Sequence, residues 1–433
     1  MNTVVEAPVL YLAAQGDGAV RLPDGQVAYC PGTLAGERVR LIQDAAGIWR
    51  LDTVLDASPD RVTPPCPLFG TCGGCSMQQM QPAALLDWKA SKVRHALQKA
   101  GFAPIPEPTC TQVPPYSRRR VDLAVRRMPD AMLIGLHARG SKAVADMTVC
   151  PALNPDILRL LPAFRTTLRS LQAIRSEASL HINLFDSGPD IVLLTDSPLQ
   201  APDRIRLARL AEEHGIPRIG WRLLKGDGEP ETAAQNGPVF QSIAGHRITP
   251  PPGAFLQATA RSEHSIQQAV MAALPARLGR RDNVIELYAG CGTLTLPLSE
   301  RCRVMAYEGH APACAALKAA GNTRIQAQCR DLNRQPVMAK DLAKAPVVIL
   351  DPPHAGAKLQ MRQIAQGRPA QVIYVSCNPA ALSKDAALLA EAGYRLDSIA
   401  VIDQFLWSAE TEAVCSFIRE SSHRSRSGPS RSG

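Results

Sequence analysis

Cys377 follows the apolar run Val372-Ile373-Tyr374-Val375-Ser376 and precedes Asn378-Pro379. Four strand-forming residues in succession fit a strand buried on both faces of a parallel sheet, and the Asn-Pro pair ends it. The thiol is therefore expected at a carboxyl edge, where open α/β sheets bind ligands and a cysteine can act as a nucleophile. A cysteine without that context would more often be a small buried hydrophobe. Asp351-Pro352-Pro353-His354 ends a second apolar run, Val347 to Leu350, and puts a carboxylate on a stiff loop at the same edge. Its bland reading is a helix N-cap followed by prolines.

Glu286-Leu287-Tyr288-Ala289-Gly290-Cys291-Gly292-Thr293 places two glycines just past a third strand, where small residues let a ligand approach the backbone. It is not the three-glycine dinucleotide fingerprint. Glu308, 16 residues after Gly292, ends the next strand, a position from which a carboxylate can bind both ribose hydroxyls. Together they point to S-adenosylmethionine, with Asp331 after the following strand in reach of the adenine amino group. Asp-Pro-Pro is also met in enzymes that methylate amino nitrogens, and Cys377 discriminates. A nitrogen has its own lone pair, whereas C5 of a pyrimidine is a poor nucleophile until a thiolate adds at C6.

Cys66, Cys72 and Cys75 share a Gly/Pro-rich loop with C-x5-C-x2-C spacing. That spacing reads as metal binding, with zinc and iron-sulfur both open. A fourth ligand must come from Cys110 or Cys150, the thiols between this loop and the C-terminal region.

The 433 residues, 45% hydrophobic, suffice for two or three domains. Residues 1–58 contain short β-like runs separated by Gly-Asp-Gly, Pro-Asp-Gly and Pro-Gly turns, the pattern of a small β-barrel. Residues 59–248 read as a central α+β domain carrying the cysteine cluster and a basic segment. Within it, residues 81–101 predict an amphipathic helix with Leu86, Val93 and Leu97 inward and Lys89, Lys92 and Lys99 toward solvent. Pro250-Pro251-Pro252-Gly253 marks entry into residues 249–418, where strands and helices alternate as in a doubly wound, Rossmann-like α/β sheet. Residues 419–433, rich in Ser, Arg and Gly, read as a disordered basic tail.

The net charge of +9 suggests a polyanionic partner. Residues 116–142 hold seven Arg and Lys against Asp122 and Asp130, whereas residues 1–57 hold four Arg against seven acids. Arg118, Arg119, Arg120, Arg126 and Arg127 are accordingly expected to contact phosphates. An aromatic content of 4% argues for phosphate contacts and a few flipped bases rather than many stacked ones. Twelve cysteines in so long a chain, no leader-like start and no apolar run near about 18 residues lead to the expectation of a cytoplasmic protein with reduced thiols and no membrane contact.

In combination these residues resemble the iron-sulfur-containing, class I S-adenosylmethionine-dependent RNA (uracil-5-)-methyltransferases with an N-terminal TRAM-type barrel. The likeness extends to about Phe417. It rests on Gly16-Asp17-Gly18, Pro31-Gly32 and Gly36-Glu37, on the Cys66, Cys72, Cys75 and Cys150 set, and on Phe255-Leu256-Gln257. Glu286 to Gly292, Asp351-Pro352-Pro353, Ser376-Cys377-Asn378-Pro379 and Glu412 complete it. The resemblance implies a [4Fe-4S] cluster on the four cysteines. It also implies cofactor contacts from Gln257, Tyr288, Gly290, Glu308 and Asp331, with Asp351 in the same pocket helping Gln257 hold the base. Cys377 would be the nucleophile and Glu412 the base. Two departures stand out: His354 where the family has Arg, and Phe405-Leu406-Trp407-Ser408-Ala409-Glu410-Thr411-Glu412 for a Phe-Pro-x-Thr-x-His-Val-Glu run, which keeps Glu410 as an alternative base. The function expected is methylation of C5 of a uridine in structured RNA, ribosomal rather than transfer RNA, by a monomer. An iron-sulfur RNA-binding protein without methyl transfer, motivated by residues 406–411, is the other reading.

Overall fold

The computed structural model describes residues 3–419. Residues 420–433, most of the segment read as a basic tail, lie outside the described residues.

The amino-terminal part is a five-stranded antiparallel sheet in the spatial order Val27–Cys30, Gly18–Arg21, Val4–Leu12, Arg38–Gln43, Trp49–Asp56. Register shifts in Val4–Leu12 against Gly18–Arg21 and in Arg38–Gln43 against Trp49–Asp56 curl it. Val9, Val20, Cys30, Val39 and Leu41 line its inner face.

A seven-stranded, mostly antiparallel sheet forms the middle of the chain, with helices Pro155–Ser170 and Ala201–Glu213 covering its core. Strand Met132–His137 runs straight through Gly135. The glycine is needed for packing: a Cβ there would lie 1.9 Å from the Ala145 carbonyl oxygen of the neighbouring strand.

The third sheet has eight strands: Ile325–Cys329, Arg303–Glu308, Asn283–Leu287, Val347–Leu350, Gln371–Ser376, Glu412–Arg419, Tyr394–Asp403 and Thr109–Gln112. The first five are parallel, as expected from their continuous apolar runs. The order reverses between Asn283–Leu287 and Val347–Leu350, the crevice at which doubly wound sheets bind ligands. Glu412–Arg419 then enters antiparallel to both of its neighbours.

The expected boundary at 248/249 assigns residues 82–112 to the central part, but their packing joins them to this third sheet. Thr109–Gln112 pairs with Tyr394–Asp403 as its edge strand, and helix Pro82–Lys99 buries Ala90, Val93 and Leu97 in the same core as Leu382, Leu389 and Phe417. Of the three lysines expected to face solvent on that helix, Lys99 does and the other two do not. Lys89 is fully buried against Asp403, and Lys92 donates to the carbonyls of Ala14 and Ala409. Among the described residues no helix is long and apolar enough to cross a membrane.

Candidate active site

All six residues of Gln371–Ser376 are buried, so the strand delivers Cys377 to the carboxyl edge of the sheet. Asn378 ends it: its side chain accepts from Ala380 N and so caps helix Pro379–Glu391, while its Nδ2 donates to the His354 carbonyl at 2.9 Å. The Cys377 turn and the Asp351-Pro352-Pro353-His354 loop are thereby tied together. On the other side, antiparallel pairing of Ser376 with Ala413 sets Cys377, one residue after Ser376, beside Glu412, one residue before Ala413.

A cavity of about 460 Å³ opens at this edge, lined by Phe255, Gln257, Glu286, Tyr288, Gly290, Glu308, Asp351, Cys377, Gln404 and Glu412 among others. Four polar atoms around it are buried without a hydrogen-bond partner: Gln257 Oε1, Glu286 Oε2, Tyr288 OH and Glu412 Oε1. Buried polar groups are nearly always paired, so this set fits a polar ligand. The carboxylates here are shifted upward. Burial raises Asp351 to about 7 and Glu286 to about 8, and burial with the nearby Asp351 raises Glu412. The Cys377 thiol is pushed up to about 12, first by burial and then by Glu412 and Asp351. Clustered shifts of this kind mark functional sites.

The glycine turn is positioned for a nucleoside. Glu308 accepts from Gly290 N at 2.8 Å and from His310 N at 2.6 Å, which fixes its carboxylate at the strand end. Gly292 has φ +99°, and a Cβ there would approach Leu317 to 2.7 Å, so the turn requires glycine. Tyr288 also has a positive φ, +64°, at the mouth of the cavity.

Asp331 is not among the residues that line the cavity: its carboxylate accepts from Asn333 N at 2.9 Å and pairs with Arg334, its Cα sits beside Gly309, and its charge reaches Tyr288. The arginine segment is largely structural. Arg119 pairs with the buried Glu263 at 2.7 Å, and Arg127 donates to the carbonyls of Leu168, Arg169, Leu171 and Ile174. Arg126 faces Glu177 at 3.5 Å, while Arg118 bonds the Arg120 carbonyl and lines the cysteine cavity. Arg120 alone of the five reaches the active-site mouth, its guanidinium 4.6 Å from the exposed Phe255 ring. Of the two candidate bases, Glu412 lines the cavity, whereas Glu410 lies outside the lining, although its charge reaches Cys377 as well as Lys92 and Lys89.

Cys66, Cys72, Cys75 and Cys150 line a separate cavity of about 280 Å³ walled by Leu68, Phe69, Val121, Leu136 and Met147. The Gly74 amide points at Cys72 Sγ at 3.5 Å, and the amides of Leu153 and Ala152 favour the Cys150 thiolate. Burial pushes Cys75 up to about 11. Cys110 lies elsewhere, on the edge strand Thr109–Gln112. Among the described residues, no three His, Cys, Asp or Glu side chains converge on a single point as ligands of one metal ion would. The loop is nonetheless joined to the active site, since Ser76 N and Met77 N both donate to the Trp407 carbonyl at 2.9 Å. Gln404 was missed by motif reasoning, and only its adjacency to Asp403 and Phe405 marked it.

Strand order, glycine turn and the edge thiol define an S-adenosylmethionine-dependent methyltransferase of the Rossmann-like class. A family profile described as tRNA (Uracil-5-)-methyltransferase matches residues 251–419. An uncharacterized RNA methyltransferase of Caulobacter vibrioides is 37% identical over 423 residues, covering 94% of this chain and 98% of the relative. The 23S rRNA (uracil(1939)-C(5))-methyltransferase of Shewanella amazonensis is 31% identical over 409 residues, covering 91% of each chain. In fold, the chain is similar to the tRNA (uracil-54, C5)-methyltransferase of Pyrococcus abyssi in complex with S-adenosyl-L-homocysteine, with a TM-score of 0.71, 18% identity and coverage of 95% of this chain and 99% of that one. The chain belongs to the RNA (uracil-5-)-methyltransferase family.

Proposed function

We propose that this enzyme methylates C5 of a specific uridine in ribosomal RNA through a covalent bond between Cys377 and C6 of the base. The observation that carries the reading is the juxtaposition of Cys377, Glu412 and Asp351 on one cavity, with Glu412 opposite Cys377 across paired strands. Ribosomal RNA is favoured by the relative described as a 23S rRNA methyltransferase. Gln257, Tyr288, Gly290 and Glu308 would hold S-adenosylmethionine, which supplies an electrophilic methyl group on a sulfonium. The unpartnered Gln257 and Tyr288 atoms and the amide-fixed Glu308 carboxylate fit that ligand. Asp331, paired locally outside the cavity, is left out of the contact set.

A uridine flipped out of its stack enters the cavity, where Gln257 and Asp351 hydrogen-bond its polar edge. Cys377 gives up its thiol proton and adds as thiolate to C6, the C5–C6 π pair moves toward C5 and the C4 carbonyl, and C5 takes the methyl group as the thioether S-adenosylhomocysteine leaves. Glu412 then removes the C5 proton, the C5–C6 double bond reforms and the Cys377 thiolate leaves. Loss of the proton before the sulfur leaves is what makes a base necessary.

The four-cysteine cavity supports an iron-sulfur cluster in preference to a zinc ion. The four thiols line one cavity, and amides reach two of the sulfurs, as sulfur ligands of a cluster would need. Arg118 in the cavity wall offers a counter-charge to thiolate ligands. Residues 1–58 resemble a TRAM-type domain in their turn glycines and form a curled five-stranded sheet. The test of the function is mapping of 5-methyluridine in total RNA from cells with and without this protein. Loss of one ribosomal position is expected, and an unchanged map would overturn the reading.

A further inference from the structure

Gln404 is buried between strand Tyr394–Asp403 and the cavity, and both ends of its carboxamide are engaged. Nε2 donates to Glu412 Oε2 at 2.5 Å, and Oε1 lies 3.1 Å from Ser262 Oγ. Ser262 is itself fixed, with Oγ 2.9 Å from both the hydroxyl and the carbonyl of Thr259, the residue that caps helix Ala260–Ala273. To act as the base Glu412 must be ionised, and an ionised carboxylate only accepts hydrogen bonds, so in that state the amide end of Gln404 faces Glu412 and the carbonyl end faces the serine hydroxyl. The other Glu412 oxygen, Oε1, is buried and without a partner. A leucine would fill the same volume. The amide adds a directed donor on one carboxylate oxygen, held by a chain of contacts that ends in a helix cap.

We propose that Gln404 is a positioning residue for proton abstraction: by holding Oε2 it fixes the Glu412 carboxylate so that Oε1 faces the C5 proton. This deepens the proposed function and rests on it. In the step concerned, Glu412 Oε1 takes the proton from methylated C5, the C–H electron pair forms the C5–C6 double bond, and the C6–S bond breaks to release the Cys377 thiolate. Gln404 touches neither the base nor the sulfur. Its removal should therefore leave addition and methyl transfer intact and slow release alone.

A 23S ribosomal RNA transcript made with 5-fluorouridine separates these steps. Fluorine at C5 cannot be removed as a proton, so the reaction stops at the methylated adduct without using Glu412. Gln404→Leu is expected to form that adduct within about twofold of the wild-type rate. On the same transcript made with uridine, its turnover should fall about tenfold to a hundredfold, the range for losing a hydrogen bond to a charged group, and a denaturant-resistant methylated adduct should accumulate. Ser262→Ala, which keeps Gln404 but frees its carbonyl end, should give the same split at smaller amplitude and decides the matter if Gln404→Leu does not fold. A parallel loss on both transcripts, or normal turnover on uridine, overturns the role of Gln404. Absence of an adduct and of methyl transfer in the wild-type enzyme overturns the proposed function instead.

Discussion

Lys89 and Asp403 form an ion pair with no solvent exposure on either side chain, and breaking it from one side should be costly. Lys89 Nζ lies 2.5 Å from Asp403 Oδ1 and 3.0 Å from the Phe405 carbonyl, while Gln112 Nε2 holds the second Asp403 oxygen at 2.9 Å. Burial pushes the Lys89 ammonium down and Asp403 opposes the shift. Lys89→Met keeps the apolar stem in the core but leaves Asp403 charged and without its cation, and the Phe405 carbonyl without a donor. One-sided loss of a buried pair costs about 3–5 kcal/mol. Lys89→Met/Asp403→Leu removes both charges; Gln112 keeps its hydrogen bond to the Pro82 carbonyl, and the remaining deficit, chiefly the unpaired Phe405 carbonyl, should be about 1–3 kcal/mol. Urea unfolding of wild type, both single variants and the double variant gives the cycle. The pair brackets Gln404, so methyl transfer by Lys89→Met should also fall under conditions where it remains folded. A Lys89→Met cost below about 1 kcal/mol, or a double variant less stable than the worse single one, would refute the reasoning.

Anaerobically purified protein is expected to be brown with about four iron and four sulfide per chain, with Cys110→Ser unchanged and Cys72→Ser bleached; a colourless protein with stoichiometric zinc would contradict this. Because burial and three carboxylates, Glu412, Asp351 and Glu410, raise the Cys377 thiol to about 12, its thiolate is lost as pH falls from that value. Alkylation of Cys377 in the RNA-free enzyme, followed by peptide mass spectrometry, should therefore rise about tenfold per pH unit from about pH 7 to 9, and a plateau near pH 8 would show a much lower value. Arg120→Ala should weaken RNA binding and reduce the logarithmic salt slope by up to about 0.9, whereas conservative neutralisation of Arg119 or Arg127 should show first as lost stability. An unchanged slope in Arg120→Ala would leave that side chain without a phosphate contact.

Much of the catalytic sheet was legible because its parallel strands are buried on both faces and announce themselves as apolar runs. Val347–Leu350 has the bounds read from sequence, and Gln371–Ser376 begins one residue before the apolar run that starts at Val372. The edge thiol, the glycine turn and the carboxylate after the second strand followed from those runs. What stayed hidden depended on long-range partners. Thr109–Gln112 joins a strand about 290 residues away, a pairing no local pattern encodes. The arginines read as a phosphate-binding face because charge in sequence does not reveal which carbonyls and carboxylates will meet it. Arg127 is spent on four carbonyls and Arg119 on a buried glutamate. Lys89 fell on a nominally polar helix face, yet Asp403 covers it. Gln404 belongs to no motif, and only the hydrogen bond to Glu412 gives it meaning.

The central claim is that Cys377 bonds to the base and Glu412 frees it, and intact mass spectrometry of denatured enzyme-RNA reactions tests this most directly. With ribosomal RNA and S-adenosylmethionine, Cys377→Ala should give neither 5-methyluridine nor any covalent complex, because the C6 bond never forms. Glu412→Gln should accumulate a complex already carrying the added methyl group, while Glu410→Gln turns over normally. A covalent complex persisting in Cys377→Ala would contradict the account, and trapping by Glu410→Gln with normal turnover in Glu412→Gln would move the base to Glu410.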